Sequence, residues 1–266
     1  MRITVVGIGL LGHAVAERLH DSGHAVTVFN RTRSKTDLLR TRGITVAETA
    51  DEAVAATDCT LLFLTDAAAI QTVLFSPVSP VALRGRTLIQ MGTISPEESR
   101  VFHRLVTDGG GDYFEAPVLG SLAEAKAGTL IVMGGGTTDQ FVRWNNAFAS
   151  LTPAPILIGP VGQAAALKLA LNHLIAAELS AFALSLGLVQ RAGISVDHFM
   201  SILKTSALYA PAFEKKLPRL LARHYDQPNF PTSHLLKDVN LFVDEAQQHG
   251  LNVAGITGVR AILEQT

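Results

Sequence analysis

One cysteine, Cys59, stands in 266 residues, so no internal disulfide can form and a reducing, cytoplasmic setting is expected. Lying just before "TLLFL", it reads as a buried strand residue rather than a nucleophile. Excess charge of either sign is also lacking: 22 Lys and Arg face 23 Asp and Glu. That balance argues against a surface made for a nucleic-acid backbone. The nine histidines show no ligand spacing with Cys59 or with carboxylates, so no metal is expected. The opening "MRITVVGIG" lacks the apolar core and cleavage site of a secretory signal. What the chain does have is apolar residues, 48% against 17% charged, enough to fill a sizeable core and too many for disorder.

Short β-rich runs recur along the first half: "ITVV" (3–6), "AVTVF" (25–29), "TLLFL" (60–64), "TLIQ" (87–90), "DYFEA" (112–116) and "TLIVM" (129–133). Most are continuously apolar, as strands covered on both faces should be. Helical patterns such as "LLGHAVAERLHDSG" and "PEESRVFHRLVTDGG" separate them. Alternation of this kind implies a doubly wound parallel sheet with right-handed crossovers. After "PILIGPVG" the strands stop, and the rest reads as helix. The expected division is an α/β domain over 1–162 and an all-α domain over 163–266, opened by a long helix at about 163–192. Lys168, Asn172, His173 and Glu178 interrupt that helix, and no basic flank orients it as a membrane span. It reads as a helix buried in protein.

The first strand runs into "GIGLLG", which matches G-x-G-x-x-G through Gly7, Gly9 and Gly12 and then opens a helix. In that context the motif is a dinucleotide fingerprint, with Leu10 and Leu11 at the start of the helix whose N–H groups receive the pyrophosphate. The second strand ends "VFNRTRSK". Asn30 stands where a carboxylate would bind a ribose 2′-hydroxyl and repel a 2′-phosphate. With Arg31 and Thr32 offering charge and donors, NADP(H) is the expected cofactor. A charged residue and an amide, Lys168 and Asn172, share one face of the apolar helix. On composition alone they suit either a catalytic pair or a lysine snorkelling to solvent.

Six ordered motifs then resemble the β-hydroxyacid dehydrogenase family. They are "VVGIGLLGHAVAERL" with "VFNRT", "LFLTD", "MGTISPEES", "EAPVLGSLAEAKAGTL", "GPVGQAAALKLALN" and "FPTSHLLKDVNL". The resemblance implies a Rossmann-type domain joined by a long helix to an all-helical one. It makes Lys168 the general acid/base, with Asn172 orienting it or holding substrate. It places Leu64, Thr65, Asp66 and Thr93 beside the cofactor, with Lys237 there too or in an ordinary surface pair. It assigns substrate contacts to Thr93, Leu119, Gly120, Ser121, Phe230 and Asp238, with the backbone N–H groups of the Gly120–Ser121 turn receiving a substrate carboxylate. Leu119 and Gly92 stand where serines are common in relatives, and the chain ends before a tail that relatives usually carry.

The function so implied is NADPH-dependent reduction of a small aldehyde or keto acid, glyoxylate and succinic semialdehyde being the models. An imine reductase is the alternative, which Lys168 argues against and the apolar Leu119 favours. A non-catalytic NADP-binding homologue is a third reading. The small-molecule carboxylate is the expected partner, with neither nucleic acid nor membrane, and the apolar helices suggest a homodimer or homotetramer.

Overall fold

The computed structural model describes residues 1–57, 59–76 and 80–265. Two compact units divide the chain, Met1–Leu169 and Ala170–Thr266. The first holds β1 (Arg2–Val6), β2 (Ala25–Phe29), β3 (Thr45–Val46), β4 (Cys59–Leu62), β5 (Thr87–Gln90), β6 (Asp112–Glu115), β7 (Val118–Leu119), β8 (Ile131–Gly135) and β9 (Ile156–Gly159). Its helices are α1 (Leu10–Asp21), α2 (Asp37–Thr41), α3 (Ala50–Ala55), α4 (Ala67–Leu74), α5 (Pro96–Asp108), α6 (Leu122–Ala127) and α7 (Thr138–Phe148). A 3₁₀ turn spans Arg33–Thr36. The long α8 (Gln163–Arg191) begins in this unit and supplies most of its length to the second.

The strand order is β3-β2-β1-β4-β5-β6-β8-β7, with β9 paired to β8. Chain direction across the sheet reverses between β1 and β4, and such a switch point opens a crevice at the strands' carboxyl ends. The strands from β3 through β6 pair in parallel. Beyond them the sheet departs from the all-parallel expectation, because β8 runs antiparallel to both β6 and β7. The cause is local. The six-residue α6 is too short for a crossover of the usual dozen residues or so, and Gly128 (φ 72°) turns the chain straight back into β8.

Continuous apolar strands follow from cores on both faces. Ile3, Val5, Val28 and Cys59 pack with Leu19, Phe114, Trp144 and Phe148. Val6, Leu62 and Leu88 pack on the other side with Ile70, Leu74, Phe102 and Val106. Truncating one such side chain, Leu62→Ala for instance, removes about 2–5 kcal/mol of stability.

The second unit is all helix: the rest of α8, then α9 (Val196–Thr205), α10 (Pro211–Ala222), α11 (Thr232–Gln248) and α12 (Ala254–Leu263). Ala176 of α8 packs on Val239, Val243 and Ile256, while Phe182 stacks on Phe213 with centroids 4.6 Å apart. The expectation of a helix buried in protein holds for one side of α8 and not for all of it. Leu184 is 77% exposed and Leu188 69%, because its neighbours cover only one side of the helix.

Candidate active site

The glycine loop at the end of β1 is shaped by what has no room to be a side chain. At Gly7 (φ 97°) a Cβ would lie 2.5 Å from the Phe63 carbonyl oxygen, and at Gly12 it would collide with the Gly7 carbonyl. Gly9 differs: a Cβ there would meet nothing within 4 Å. Gly9 is also the N-cap of α1, which has no side-chain cap and no acidic residue in its first turn. Open space before free N–H groups and the positive end of a helix dipole fits a pyrophosphate. Leu11 packs on the core and Leu10 is exposed, so each presents to this loop its backbone rather than its side chain.

Asn30 ties this loop to the end of β2. Its Oδ1 accepts from the Ile8 N–H at 3.0 Å, and its Nδ2 donates to the Thr32 carbonyl at 2.9 Å. The carboxamide is therefore spent on the backbone. Arg33 is held close by Glu48. Arg31 is exposed beside Thr32 and outside that ion pair.

After β4, Leu64 and Thr65 continue into Asp66, whose carboxylate caps α4 by accepting from the Ala69 N–H at 2.7 Å. Asp66 thus shapes the loop, while Thr65 is exposed. Gly92 is glycine for packing reasons, since a Cβ would lie 2.6 Å from the Leu64 carbonyl oxygen. Half-buried Thr93 precedes α5, where Ser95 and Glu98 form a capping box and Pro96 opens the helix.

At the next loop one expected donor is already engaged within the chain. Ser121 donates its backbone N–H to Glu124 Oε2 at 2.9 Å and its hydroxyl to the same oxygen at 2.7 Å. The N–H expected to receive a substrate carboxylate is occupied by a carboxylate of the chain itself, because S-x-x-E at a helix start closes a capping box. Gly120 (φ 131°) turns the chain there, and Leu119 is half-buried in β7.

On α8, Lys168 is 9% exposed and Asn172 2%, one turn apart on the same face. Asn172 Nδ2 donates to Asp238 Oδ2 at 2.6 Å, so the Asp238 carboxylate reaches the amide rather than open space. Its other oxygen meets Lys237 Nζ at 2.7 Å as an ion pair without hydrogen-bond alignment. Lys237 thus makes the neighbouring ion pair that the sequence allowed. Phe230 is 37% exposed and its ring leans on His234. His173 stacks flat on Phe242 at 4.3 Å, off the Lys168 face.

Two acidic residues stand here beyond those expected from the sequence. Glu124 is one. The other is Glu115 at the end of β6, 1% exposed, which accepts from the Gly162 and Ala164 N–H groups at 2.8 and 2.9 Å. Its only signal in the sequence is a carboxylate closing an otherwise core-like strand, "DYFEA".

Residues 2–159 match the family described as the NAD-binding domain of 6-phosphogluconate dehydrogenase. Residues 162–266 match the NAD-binding family of NADP-dependent 3-hydroxyisobutyrate dehydrogenase. The chain is 33% identical over 243 residues to glyoxylate/succinic semialdehyde reductase 1 of Arabidopsis thaliana, covering 91% of this chain and 84% of that one. It is 27% identical to the cytokine-like nuclear factor N-PAC of Xenopus tropicalis, over 91% of this chain but 46% of that protein. Its fold is shared with the 3-hydroxyisobutyrate dehydrogenase of Salmonella typhimurium (TM-score 0.89, 21% identity, 100% and 93% of the two chains). It is also shared with an imine reductase of Myxococcus stipitatus solved with NADP+ (TM-score 0.73, 21% identity, 100% and 93%). With both halves matched in order and a close full-length relative, the chain belongs to the β-hydroxyacid dehydrogenase family of NAD(P)-dependent oxidoreductases.

Proposed function

We propose that this protein reduces a short aldehyde or keto acid with NADPH, reversibly, with Lys168 as the general acid/base. The observation that carries the proposal is a nearly buried lysine one helical turn from an amide that is itself fixed by a buried carboxylate. Reduced nicotinamide supplies a hydride to the carbonyl carbon. Negative charge then develops on the carbonyl oxygen, where the Lys168 ammonium offers both attraction and a proton. In the oxidative direction the neutral amine takes the proton back. Asn172, with its Nδ2 held by Asp238, keeps its carbonyl oxygen in one direction, suited to orienting Lys168 or a substrate hydroxyl. The relative at 33% identity supports glyoxylate or succinic semialdehyde as substrate. Arg31, and an amide in place of a carboxylate at position 30, support NADPH over NADH.

A second reading, imine reduction, is favoured by the occupied Ser121 N–H and by Leu119, which leave that turn ill suited to an anionic substrate. The test is NADPH oxidation with glyoxylate, succinic semialdehyde, tartronate semialdehyde and one cyclic imine, for the native protein and Lys168→Ala. Turnover of an aldehyde acid that disappears in the variant supports the first reading. Turnover of the imine alone moves the enzyme to the second. NADPH binding with no turnover leaves a non-catalytic binding role.

We also propose a homodimer or homotetramer built through the second unit. Its exposed Leu184 lines an apolar cavity of about 700 Å³ with Phe242, Leu251 and Ile262, a face suited to a second copy. A monomeric mass by light scattering at micromolar concentration would sink that assignment.

A further inference from the structure

Glu115 is a buried carboxylate that the chemistry above leaves unused. Its Oε1 accepts from three backbone N–H groups at the start of α8: Gly162 at 2.8 Å, Ala164 at 2.9 Å and Ala165 at 3.3 Å. Its Oε2 accepts from the hydroxyl of Ser99 on α5, which is also 2.9 Å from the Tyr113 hydroxyl. The first N–H groups of any helix lack partners within it, and here a side chain from a strand replaces the missing cap. Gly135 is kept free of a side chain by the same carboxylate, since a Cβ there would collide with Oε1.

Each segment fastened in this way leads directly to a candidate site residue. Lys168 lies three residues beyond Ala165, a rise of about 4.5 Å along α8. Thr93 stands just before α5, whose Ser99 is held by Oε2. Glu115 itself ends the strand from which the chain passes to Leu119 and Gly120. Ala116 extends that end by donating its N–H to the Gln90 carbonyl at 2.7 Å, next to the loop that carries Thr93. All of these residues belong to the first unit.

We infer that Glu115 is a positioning residue, a carboxylate hub that fixes the start of α8 against α5 and so sets the height and rotation of Lys168. It touches neither cofactor nor substrate and works through the backbone. Three donors on one oxygen, two of them on adjacent residues, define the helix start more tightly than one N-cap hydroxyl. Displacing a catalytic group by about 1 Å can cost 10²-fold in rate, so a modest slip of this turn is expressed in kcat. The inference rests on the proposed role of Lys168.

The experiment compares Glu115→Ala, Glu115→Asp, Glu115→Gln and Lys168→Ala in the full chain, with NADPH and the best substrate of the panel. Steady-state kinetics, NADPH fluorescence titration and hydrogen exchange over residues 160–170 are measured for each. Glu115→Gln keeps an oxygen for the three N–H groups, and Ser99 can rotate to accept from the new amide, so it retains kcat within about threefold. Glu115→Asp is one methylene too short. It and Glu115→Ala lower kcat about 10- to 100-fold, leave the NADPH Kd and substrate KM within about twofold, and speed exchange over 160–170. A well-folded Glu115→Asp or Glu115→Ala enzyme with native kcat, beside an inactive Lys168→Ala, overturns the positioning role alone. An active Lys168→Ala overturns the reading on which the inference rests. Should Glu115→Ala fail to fold, the contrast between Asp and Gln decides the matter.

Discussion

Asn172 and Asp238, 66 residues apart in sequence, meet through a buried hydrogen bond of 2.6 Å from amide to carboxylate. Asp238 is 3% exposed, so its charge has little water to fall back on. Removing the carboxylate leaves the Asn172 amide buried without this acceptor, at a cost of about 1–3 kcal/mol. Asp238→Ala should therefore lower both stability and kcat/KM, whereas Asp238→Asn can still accept from Asn172 and should lose less. A denaturant-melt double-mutant cycle with Asn172→Ala measures the coupling. Additive losses would show that the contact is incidental.

The proposed preference for NADPH can be tested at the Asn30 loop. Asn30→Asp can still accept from the Ile8 N–H, but it sets a carboxylate against the Thr32 carbonyl and near the expected 2′-phosphate. It should raise the NADPH Kd about tenfold or more, a loss of about 1.4 kcal/mol, and change NADH binding less. Arg31→Ala should weaken NADPH binding selectively without disturbing the glycine loop. Fluorescence titration with both cofactors checks this, and equal losses for NADPH and NADH would remove Arg31 from 2′-phosphate recognition.

These two sites differ in how far the sequence reveals them. The glycine loop is legible because its parts are contiguous: an apolar strand, three glycines at fixed spacing and a helix start. Lys168 and Asn172 are legible because helical periodicity puts them on one face. The two-residue strands β3 and β7 are not, since two residues carry no periodicity. Nor is the reversal of β8, which depends on where a short helix ends. The Asn172–Asp238 and Glu115–α8 contacts span 66 and 47 or more positions, and no local pattern encodes them. Ser121 is the opposite case. Its capping box stands in the letters "SLAE", and it decides that the Ser121 N–H is taken.

That capping box yields a test of substrate charge. Glu124 holds a negative charge on both donors of Ser121. If the turn receives a substrate carboxylate, Glu124→Ala frees those donors and removes a like charge, and KM for an aldehyde acid should fall severalfold. KM for a neutral imine should not change. Losing the box costs about 0.5–2 kcal/mol of stability, readable in a thermal melt. A KM for the aldehyde acid that rises or stays fixed would place the substrate carboxylate elsewhere.

Glu115 also gives stability a particular pH dependence. Burial pushes its pKa above the ordinary 4.5, against the pull of Ser99 and the three backbone N–H groups. Below 4.5 the group is protonated whether the chain is folded or not. Between that value and the raised folded one, only the native protein holds the proton, so stability falls as pH rises through this window. Above the folded value the cost is complete. Tyr113, its titratable neighbour, is shifted upward by burial and stays protonated throughout. Glu115→Gln does not titrate and should lack this downward component. Urea melts from about pH 4 to pH 8 should show the Gln variant gaining on the native protein as pH rises. A difference that shrinks with rising pH would mean that the four donors outweigh burial and that the hub is charged at lower pH than its surroundings suggest.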